Sequence, residues 1–110
     1  MADGYVGIDA STKTGVVRLD ADGELWEATE IDVGLNGNAP DPHTLRQLIR
    51  AVTACTGSGD LVAIEGFGFA SQHGFLLGGI GWGIRMALIA AKIKYVEVAP
   101  SQLKKFTGAG

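Results

Sequence analysis

Two carboxylates stand at the ends of short apolar runs. Asp9 closes the run YVGID over residues 5–9, and Glu65 closes the run LVAIE over residues 61–65. An isolated charge is too costly to bury, so a carboxylate at the end of a buried strand must be hydrogen-bonded, paired with a cation or bound to a metal ion. The chemistry of the chain therefore depends on whether these two residues meet.

A shared divalent cation is the chemistry that such a pair can support. If the chain crosses over between the two runs through a helix, the strands lie side by side and parallel, and their carboxyl ends align at one edge of a sheet. Hard oxygen donors at that edge suit Mg²⁺ or Mn²⁺. The same carboxylates are also compatible with helix capping or with solvation at the surface, and their spacing alone does not decide between these roles.

The elements that would position these residues begin with three strands. The apolar pattern predicts strands at 5–9, 14–20 and 24–31. An Asp-Gly pair at 22–23 is typical of a tight turn between the second and third strands. The segment 32–41 is rich in Gly, Asn and Pro and is expected to form a loop. The first part of the chain is therefore predicted to be an antiparallel meander.

Helices and strands alternate in the rest of the chain. Asp41 and Pro42 have the residue types of a helix start, and apolar side chains follow at helical spacing. We predict a helix at 42–55, a strand at 61–65, a glycine-rich helix from about 75 to 92 and a strand at 95–98. The glycines of the second helix suggest close approach to the sheet or to a second subunit. The resulting order, β-β-β-α-β-α-β, predicts an α/β fold with a mixed five-stranded sheet and flanking helices.

Length and charge limit the possible functions. The 110 residues, 46% of them hydrophobic, are predicted to form a single domain. The net charge is −3, yet residues 1–65 carry four basic and eleven acidic side chains, whereas residues 66–110 carry five basic and one acidic. A local basic surface for phosphates is thus compatible with an acidic chain. The sequence shows neither a secretory signal nor an apolar segment of membrane-spanning length, so we expect a cytoplasmic protein.

Four segments carry a family resemblance. They are GIDASTKTGVV, VAIEGFGFA, a glycine-rich helix ending GIRMALIAAK, and VEVAPSQLKKFTGAG. In this order and at this spacing they resemble the RuvC-type Holliday junction resolvases of bacteria and their phages, members of the RNase H-like superfamily. The last segment is the most specific, because V-x-V-x-P, a lysine pair and T-G-x-G occur together, whereas GID-x-S/T alone is a weak signal.

The resemblance implies an endonuclease that cleaves Holliday junctions or other branched DNA in recombination and repair. It implies two-metal phosphodiester hydrolysis with Mg²⁺ or Mn²⁺, in which Asp9 and Glu65 are the catalytic, metal-binding carboxylates. The glycine-rich helix lies where such resolvases dimerise, and a homodimer suits a substrate that needs two symmetric cuts.

DNA contacts are predicted on several elements. Lys104 and Lys105 match the basic pair before T-G-x-G, and the aromatic residue that faces the junction is matched by Phe67 or Phe69 without a choice between them. Ser11 and Thr12 offer hydroxyls to phosphates, although hydrogen bonds within a β-turn are an equally good use of them. The full predicted DNA-binding set is Ser11, Thr12, Phe67, Phe69, Arg85, Lys104 and Lys105.

One departure from the resolvase pattern concerns catalysis. The resolvases carry further acidic residues on a helix after T-G-x-G, whereas this sequence ends at Gly110. We therefore expect the RNase H-like domain over 1–110 to be incomplete at its C-terminus. Two carboxylates recruit Mg²⁺ weakly and do not fix two ions, so this form is expected to be impaired in cleavage.

Two other functions fit parts of the sequence. GIDASTKTG is also similar to the first phosphate-binding hairpin of actin-like ATPases and sugar kinases, although 110 residues leave no room for the second domain of those proteins. Alternatively, the chain is a non-catalytic DNA-binding or dimerisation module. Stabilisation by nucleotide would favour the former, and salt-dependent binding of branched DNA without cleavage the latter.

Overall fold

The computed structural model describes residues 2–36, 39–66 and 74–99. These residues form one mixed sheet with the strand order β3-β2-β1-β4-β5 and two helices. Its elements are β1 (Gly4–Asp9), β2 (Lys13–Asp20), β3 (Leu25–Asp32), α1 (Pro42–Thr53), β4 (Asp60–Glu65), α2 (Gly74–Ala90) and β5 (Lys94–Val98). The predicted α/β class and element order are confirmed, and the element ends differ from the prediction by at most two residues.

The sheet joins an antiparallel and a parallel half at β1. On one side β1 pairs antiparallel with β2, and β2 with β3. On the other side β1 pairs parallel with β4, and β4 with β5. Because α1 lies between β3 and β4 in the chain, it carries the crossover that sets β4 beside β1 in the same direction.

The β2–β3 turn is closed by the Asp20 carboxylate. Its Oδ1 accepts the N–H groups of Asp22 and Glu24 at 2.9 and 3.0 Å. Gly23 adopts φ = +85°, a left-handed conformation that glycine takes without steric cost. The following strand, β3, forms an edge of the sheet and is exposed at all but one of its positions. Because β3 is exposed on both faces, its sequence LWEATEID does not alternate regularly between apolar and polar residues.

A single apolar cluster connects the sheet to both helices. Alternate residues of the central strands, Val6 and Ile8 in β1 and Val62 and Ile64 in β4, contribute to it from the sheet. The helices contribute Leu48, Val52, Ile80, Ile84 and Leu88. All nine side chains are fully buried. This core fixes α2 against the parallel half of the sheet, which is where β1 and β4 end.

The close approach permitted by glycine in α2 is to α1. A Cβ atom at Gly83 would crowd the side chain of Ile49 in α1, with Cγ1 at 3.2 Å. The predicted approach to the sheet or to a second subunit is therefore corrected at this position to contact between the two helices.

A Schellman motif connects α2 to β5. Lys92 has φ = +59°, the Lys92 N–H donates to the Ile89 carbonyl at 3.0 Å, and the Ile93 N–H donates to the Leu88 carbonyl at 2.9 Å. Ile93 is itself part of the core. The connection returns the chain into β5 at the edge beside β4. Neither of the two helices is long and apolar enough to cross a bilayer in the part of the chain that the structure describes.

Candidate functional site

The two predicted catalytic carboxylates lie at the same edge of the sheet. The parallel register of β1 and β4 pairs Ile8 with Ile64, so Asp9 and Glu65 come next on adjacent strands. Both residues line a cavity of about 290 Å³ between the sheet edge and α2. Asp9 is exposed and Glu65 is half-buried. The structure therefore brings together two residues that lie 56 positions apart in the sequence.

Three glycines of α2 form the opposite wall of this cavity. Gly74, Gly78 and Gly81 face it, at the i, i+4, i+7 spacing that places residues on one side of a helix. A Cβ atom at Gly74 or Gly78 would meet no atom of the described residues within 4 Å. These two glycines therefore leave room in the cavity. The sequence-based expectation of close packing missed this role, although the spacing of the glycines on one face of the helix was an available signal.

The β1–β2 turn closes the cavity beside Asp9. Ser11, which lines the cavity, donates from Oγ to the Lys13 carbonyl at 2.7 Å and accepts the Lys13 N–H at 3.2 Å. The buried Thr14 donates from Oγ1 to the Ser11 carbonyl at 2.6 Å. The Ser11 hydroxyl thus has the structural role foreseen for it within the turn. Contact of Ser11 and Thr12 with DNA stays a prediction.

Arg85 is the one cationic side chain that lines the cavity among the described residues. It extends the glycine face of α2 by one turn and is only 1% exposed. Its Nε donates to Oε1 of Glu97 at 2.6 Å, Nη1 to the Gly81 carbonyl at 3.0 Å and Nη2 to the Glu65 carbonyl at 3.1 Å. These bonds join α2, β4 and β5 at the site. The predicted contact between Arg85 and DNA stays a prediction.

Sequence reasoning gave no role to Glu97, the partner of Arg85. Glu97 lies on β5 opposite Ile64, one pair before the end of β4. The available signal was a single arginine within the apolar run of α2 and a single acidic residue in the whole of residues 66–110. A buried guanidinium requires an anionic partner, and Glu97 was the nearest candidate in the sequence.

The donor set at the sheet edge fits a hard divalent cation. Asp9 and Glu65 supply carboxylate oxygens, and Mg²⁺ is commonly held by one or two carboxylates together with waters and substrate phosphates. Within residues 2–36, 39–66 and 74–99, no three His, Cys, Asp or Glu residues are grouped in a way that could hold a metal ion. The described residues therefore provide two carboxylates that could ligate a cation, and not a complete protein cage.

Four of the predicted DNA-binding residues cannot be placed relative to this cavity. Phe67 and Phe69 follow β4, and Lys104 and Lys105 follow β5. All four lie outside the described residues, so their predicted contacts with DNA stay predictions.

Comparison with known proteins gives a clear result for the fold. No protein-family model and no curated protein matches the sequence. The structure, however, superposes on RuvC from T. thermophilus in complex with a Holliday junction substrate, with a TM-score of 0.71 and 16% identity over 93% of this chain and 68% of that chain. A second T. thermophilus RuvC structure gives a TM-score of 0.68 and 18% identity over 93% and 67%.

The chain has the RNase H-like fold of RuvC. This conclusion confirms the fold that the sequence resemblance implied, because the match covers nearly all of the chain. At 16–18% identity the match establishes the RuvC-like fold alone. A shared fold does not imply a shared activity, which depends on the residues of the site.

Proposed function

We propose that this chain is the nuclease domain of a structure-selective endonuclease that cleaves Holliday junctions or other branched DNA. The observation that carries the proposal is the convergence of Asp9 and Glu65 on one cavity at the ends of β1 and β4. The RuvC-like fold supports it, because one of the similar structures is a complex with a Holliday junction substrate.

The proposed reaction is metal-assisted hydrolysis of a phosphodiester. Asp9 and Glu65 would hold Mg²⁺ or Mn²⁺ through their carboxylate oxygens at the open edge of the sheet. A divalent cation bound there supplies an activated water and neutralises charge on the leaving oxygen, so no covalent nucleophile is needed. The glycine wall of α2 leaves space for a phosphate group to approach the two carboxylates.

DNA binding is proposed to involve residues around this cavity and after β5. Ser11 and Thr12 belong to the turn that borders Asp9, where hydroxyl and backbone groups can contact phosphates. Phe67 or Phe69 is proposed to stack on a base at the branch point, and Lys104 and Lys105 to neutralise phosphates.

A homodimer is proposed to form through the outer face of α2. Phe75, Trp82, Met86 and Ile89 lie on the helix face opposite the core, and each is at least 58% exposed. We call these four residues the outer stripe. A helix that is apolar on all sides is typical of a helix buried on all sides. A second copy that covers the outer stripe would also provide two cavities for the two strands of a junction.

Cleavage of a labelled four-way junction tests the proposed reaction. Because the described residues provide two carboxylates at the site, we expect slow strand scission that requires Mg²⁺ or Mn²⁺ and stops with EDTA. The rate should fall by a further factor of about 100 in Asp9→Asn and Glu65→Gln, a loss typical when a group that stabilises transition-state charge is removed. Both variants should still bind the junction. Asp22→Asn is the matched control, since it removes one exposed carboxylate in the β2–β3 turn and should cleave like the wild type.

The outcomes separate the rival functions. Cleavage that survives both substitutions would contradict the proposed site. Tight, salt-dependent binding of the junction without cleavage under any metal condition would instead favour a non-catalytic DNA-binding module. A rise in melting temperature with Mg-ATP, absent with junction DNA, would favour the actin-like or sugar-kinase alternative.

A further inference from the structure

Arg85 and Glu97 form an ion pair next to the proposed catalytic carboxylates. The Arg85 side chain is 2% exposed, whereas the Glu97 side chain is half exposed, and the Nε–Oε1 distance is 2.6 Å. A buried guanidinium is costly unless its donors find acceptors. Three donors of Arg85 reach acceptors on three different elements, namely Glu97 on β5, Gly81 on α2 and Glu65 on β4.

The bond to Glu65 is made to its main chain, at the point where β4 stops. The Glu65 carbonyl accepts from Nη2 of Arg85 at 3.1 Å, and the next N–H, that of Gly66, donates to the Val98 carbonyl at 2.8 Å. Together these bonds fix the peptide between Glu65 and Gly66 from two sides. Glu65, whose side chain extends from this fixed backbone, lines the cavity together with Asp9.

We propose that Arg85, oriented by Glu97, is a positioning residue for the metal site. It holds the end of β4 in place, so that Glu65 presents its carboxylate to the same cation as Asp9. This inference rests on the proposed function, because it assumes that the cavity binds a divalent cation. Groups that orient ligands from outside the coordination shell commonly change metal affinity by about 10- to 100-fold.

The charge of Arg85 and its positioning role predict opposite changes in metal affinity when Arg85 is removed, which makes the proposal testable. A cation beside a metal site repels the metal, so its removal should tighten metal binding if charge is the only effect. If Arg85 instead holds the end of β4 in place, its removal should weaken metal binding, because the carboxylates of Asp9 and Glu65 would no longer converge. Lysine keeps the charge but lacks the planar fork that reaches three acceptors at once. Arg85→Lys therefore separates the two effects.

The experiment measures Mn²⁺ binding by the intact chain, by electron paramagnetic resonance of free Mn²⁺ and by calorimetry. We expect Arg85→Lys and Arg85→Met to bind Mn²⁺ about 10-fold more weakly than the wild type, and Glu97→Gln to change in the same direction by a smaller factor, because its amide oxygen still accepts a hydrogen bond. Circular dichroism and melting temperature show that each variant is folded. If Arg85→Met does not fold, Arg85→Lys and Glu97→Gln still provide the test.

Arg18→Lys is the matched control. Arg18 pairs with the buried Asp60 at 3.3 Å, at the opposite end of β4 from Glu65. This variant makes the same chemical change in a second ion pair, in which the carboxylate and not the guanidinium is the more buried partner, so it should lower stability without changing Mn²⁺ affinity.

Each further outcome contradicts a specific statement. Wild-type Mn²⁺ affinity in Arg85→Lys, or tighter binding in Arg85→Met, would overturn the positioning role and leave the proposed function intact. An equal loss in Arg18→Lys would show that general destabilisation is the cause and would also overturn that role. Absence of Mn²⁺ binding in the wild type, or binding unchanged by Asp9→Asn, would overturn the proposed metal site and the positioning role together.

Discussion

Gly83 of α2 lies directly against Ile49 of α1. A Cβ atom at position 83 would come within 3.2 Å of Ile49 Cγ1 and closer still to Cδ1, whereas at Gly79, one turn earlier, it would meet only Leu45 Cδ2 at an ordinary 3.9 Å. The two glycines therefore have different roles in the same helix. Gly83 allows the two helices to approach each other, whereas the packing around Gly79 has room for a Cβ atom.

Substitution of these two glycines should change stability in different directions. Gly79→Ala is expected to raise the free energy of unfolding by about 0.5–1 kcal/mol, because alanine costs less backbone entropy in a helix. In Gly83→Ala this gain is opposed by crowding against Ile49, which typically costs about 1–3 kcal/mol. Chemical denaturation of both variants measures the difference, and Gly83→Ala should be the less stable of the two.

A second substitution identifies the contact responsible. Ile49→Val removes the Cδ1 atom, so in this background Gly83→Ala should cost less than in the wild type. Equal costs in the two backgrounds would show that the methyl group at position 83 does not meet Ile49.

Much of the fold follows from patterns that are local in the sequence. Apolar periodicity marks the strands and helices, and the Asp-Gly turn and the Asp41-Pro42 helix start mark their boundaries. The meeting of Asp9 and Glu65 also follows, because a helical crossover makes their strands parallel and parallel strands align their ends. The predicted placement of this pair is confirmed, while its catalytic role stays a proposal.

The remaining features depend on tertiary placement that no local pattern contains. The bond between Arg85 and Glu97 requires α2 to lie over β5 in one particular rotation. Trp26 and Leu25 are apolar, which favours burial, yet both are at least 65% exposed because β3 ends the sheet at an uncovered edge. Trp26 instead stacks on the Arg18 guanidinium, with 5.4 Å between Arg18 Cζ and the ring centroid.

The N-cap of α1 should make stability depend on pH in the acidic range. Asp41 accepts the Thr44 hydroxyl at 2.8 Å and the His43 N–H at 3.0 Å, and these bonds hold the pKa of its carboxyl below the ordinary value of 3.8. A lowered pKa in the folded state gives stability that is complete well above pH 3.8 and is lost as the pH falls through the lowered value. Asp41→Asn keeps a capping side chain that does not titrate.

Thermal unfolding of the wild type and Asp41→Asn between pH 2.5 and 7 measures this effect. The advantage of the wild type in melting temperature should be constant above about pH 5 and decline below about pH 4. Thr44→Ala removes the largest cause of the lowered pKa and should reduce the pH dependence. A difference between wild type and Asp41→Asn that does not vary with pH would contradict the role of the ionised carboxylate.

The lysine pair at 104 and 105 should contribute to the salt dependence of junction binding. Each phosphate contact that is lost lowers the slope of log affinity against log salt by about 0.9, so replacing both lysines with alanine should lower it by up to about 1.8. Anisotropy titrations of a labelled four-way junction between 50 and 200 mM salt measure the slope.

The control is a second pair of lysines. Lys92 and Lys94 are exposed, and Lys94 pairs with Leu61 near the opposite end of β4 from the cavity. Replacing both with alanine changes the net charge equally but should leave the slope close to that of the wild type. Equal slopes for the two double variants would contradict the proposed contacts of Lys104 and Lys105 with DNA.

The outer stripe of α2 should determine self-association. Met86 and Ile89 are 63% and 64% exposed on a helix whose opposite face is fully buried. Met86→Lys or Ile89→Lys would bury a charge without a partner in the proposed homodimer, which should weaken dimerisation by at least about 10-fold, or 1.4 kcal/mol. Sedimentation equilibrium measures the shift toward monomer.

Leu25→Lys is the matched control, because Leu25 is 65% exposed on β3, away from the outer stripe, and its replacement should leave the dimerisation constant unchanged. A purely monomeric wild type at high protein concentration would exclude the homodimer, and an equal loss in Leu25→Lys would show that association does not depend on the outer stripe.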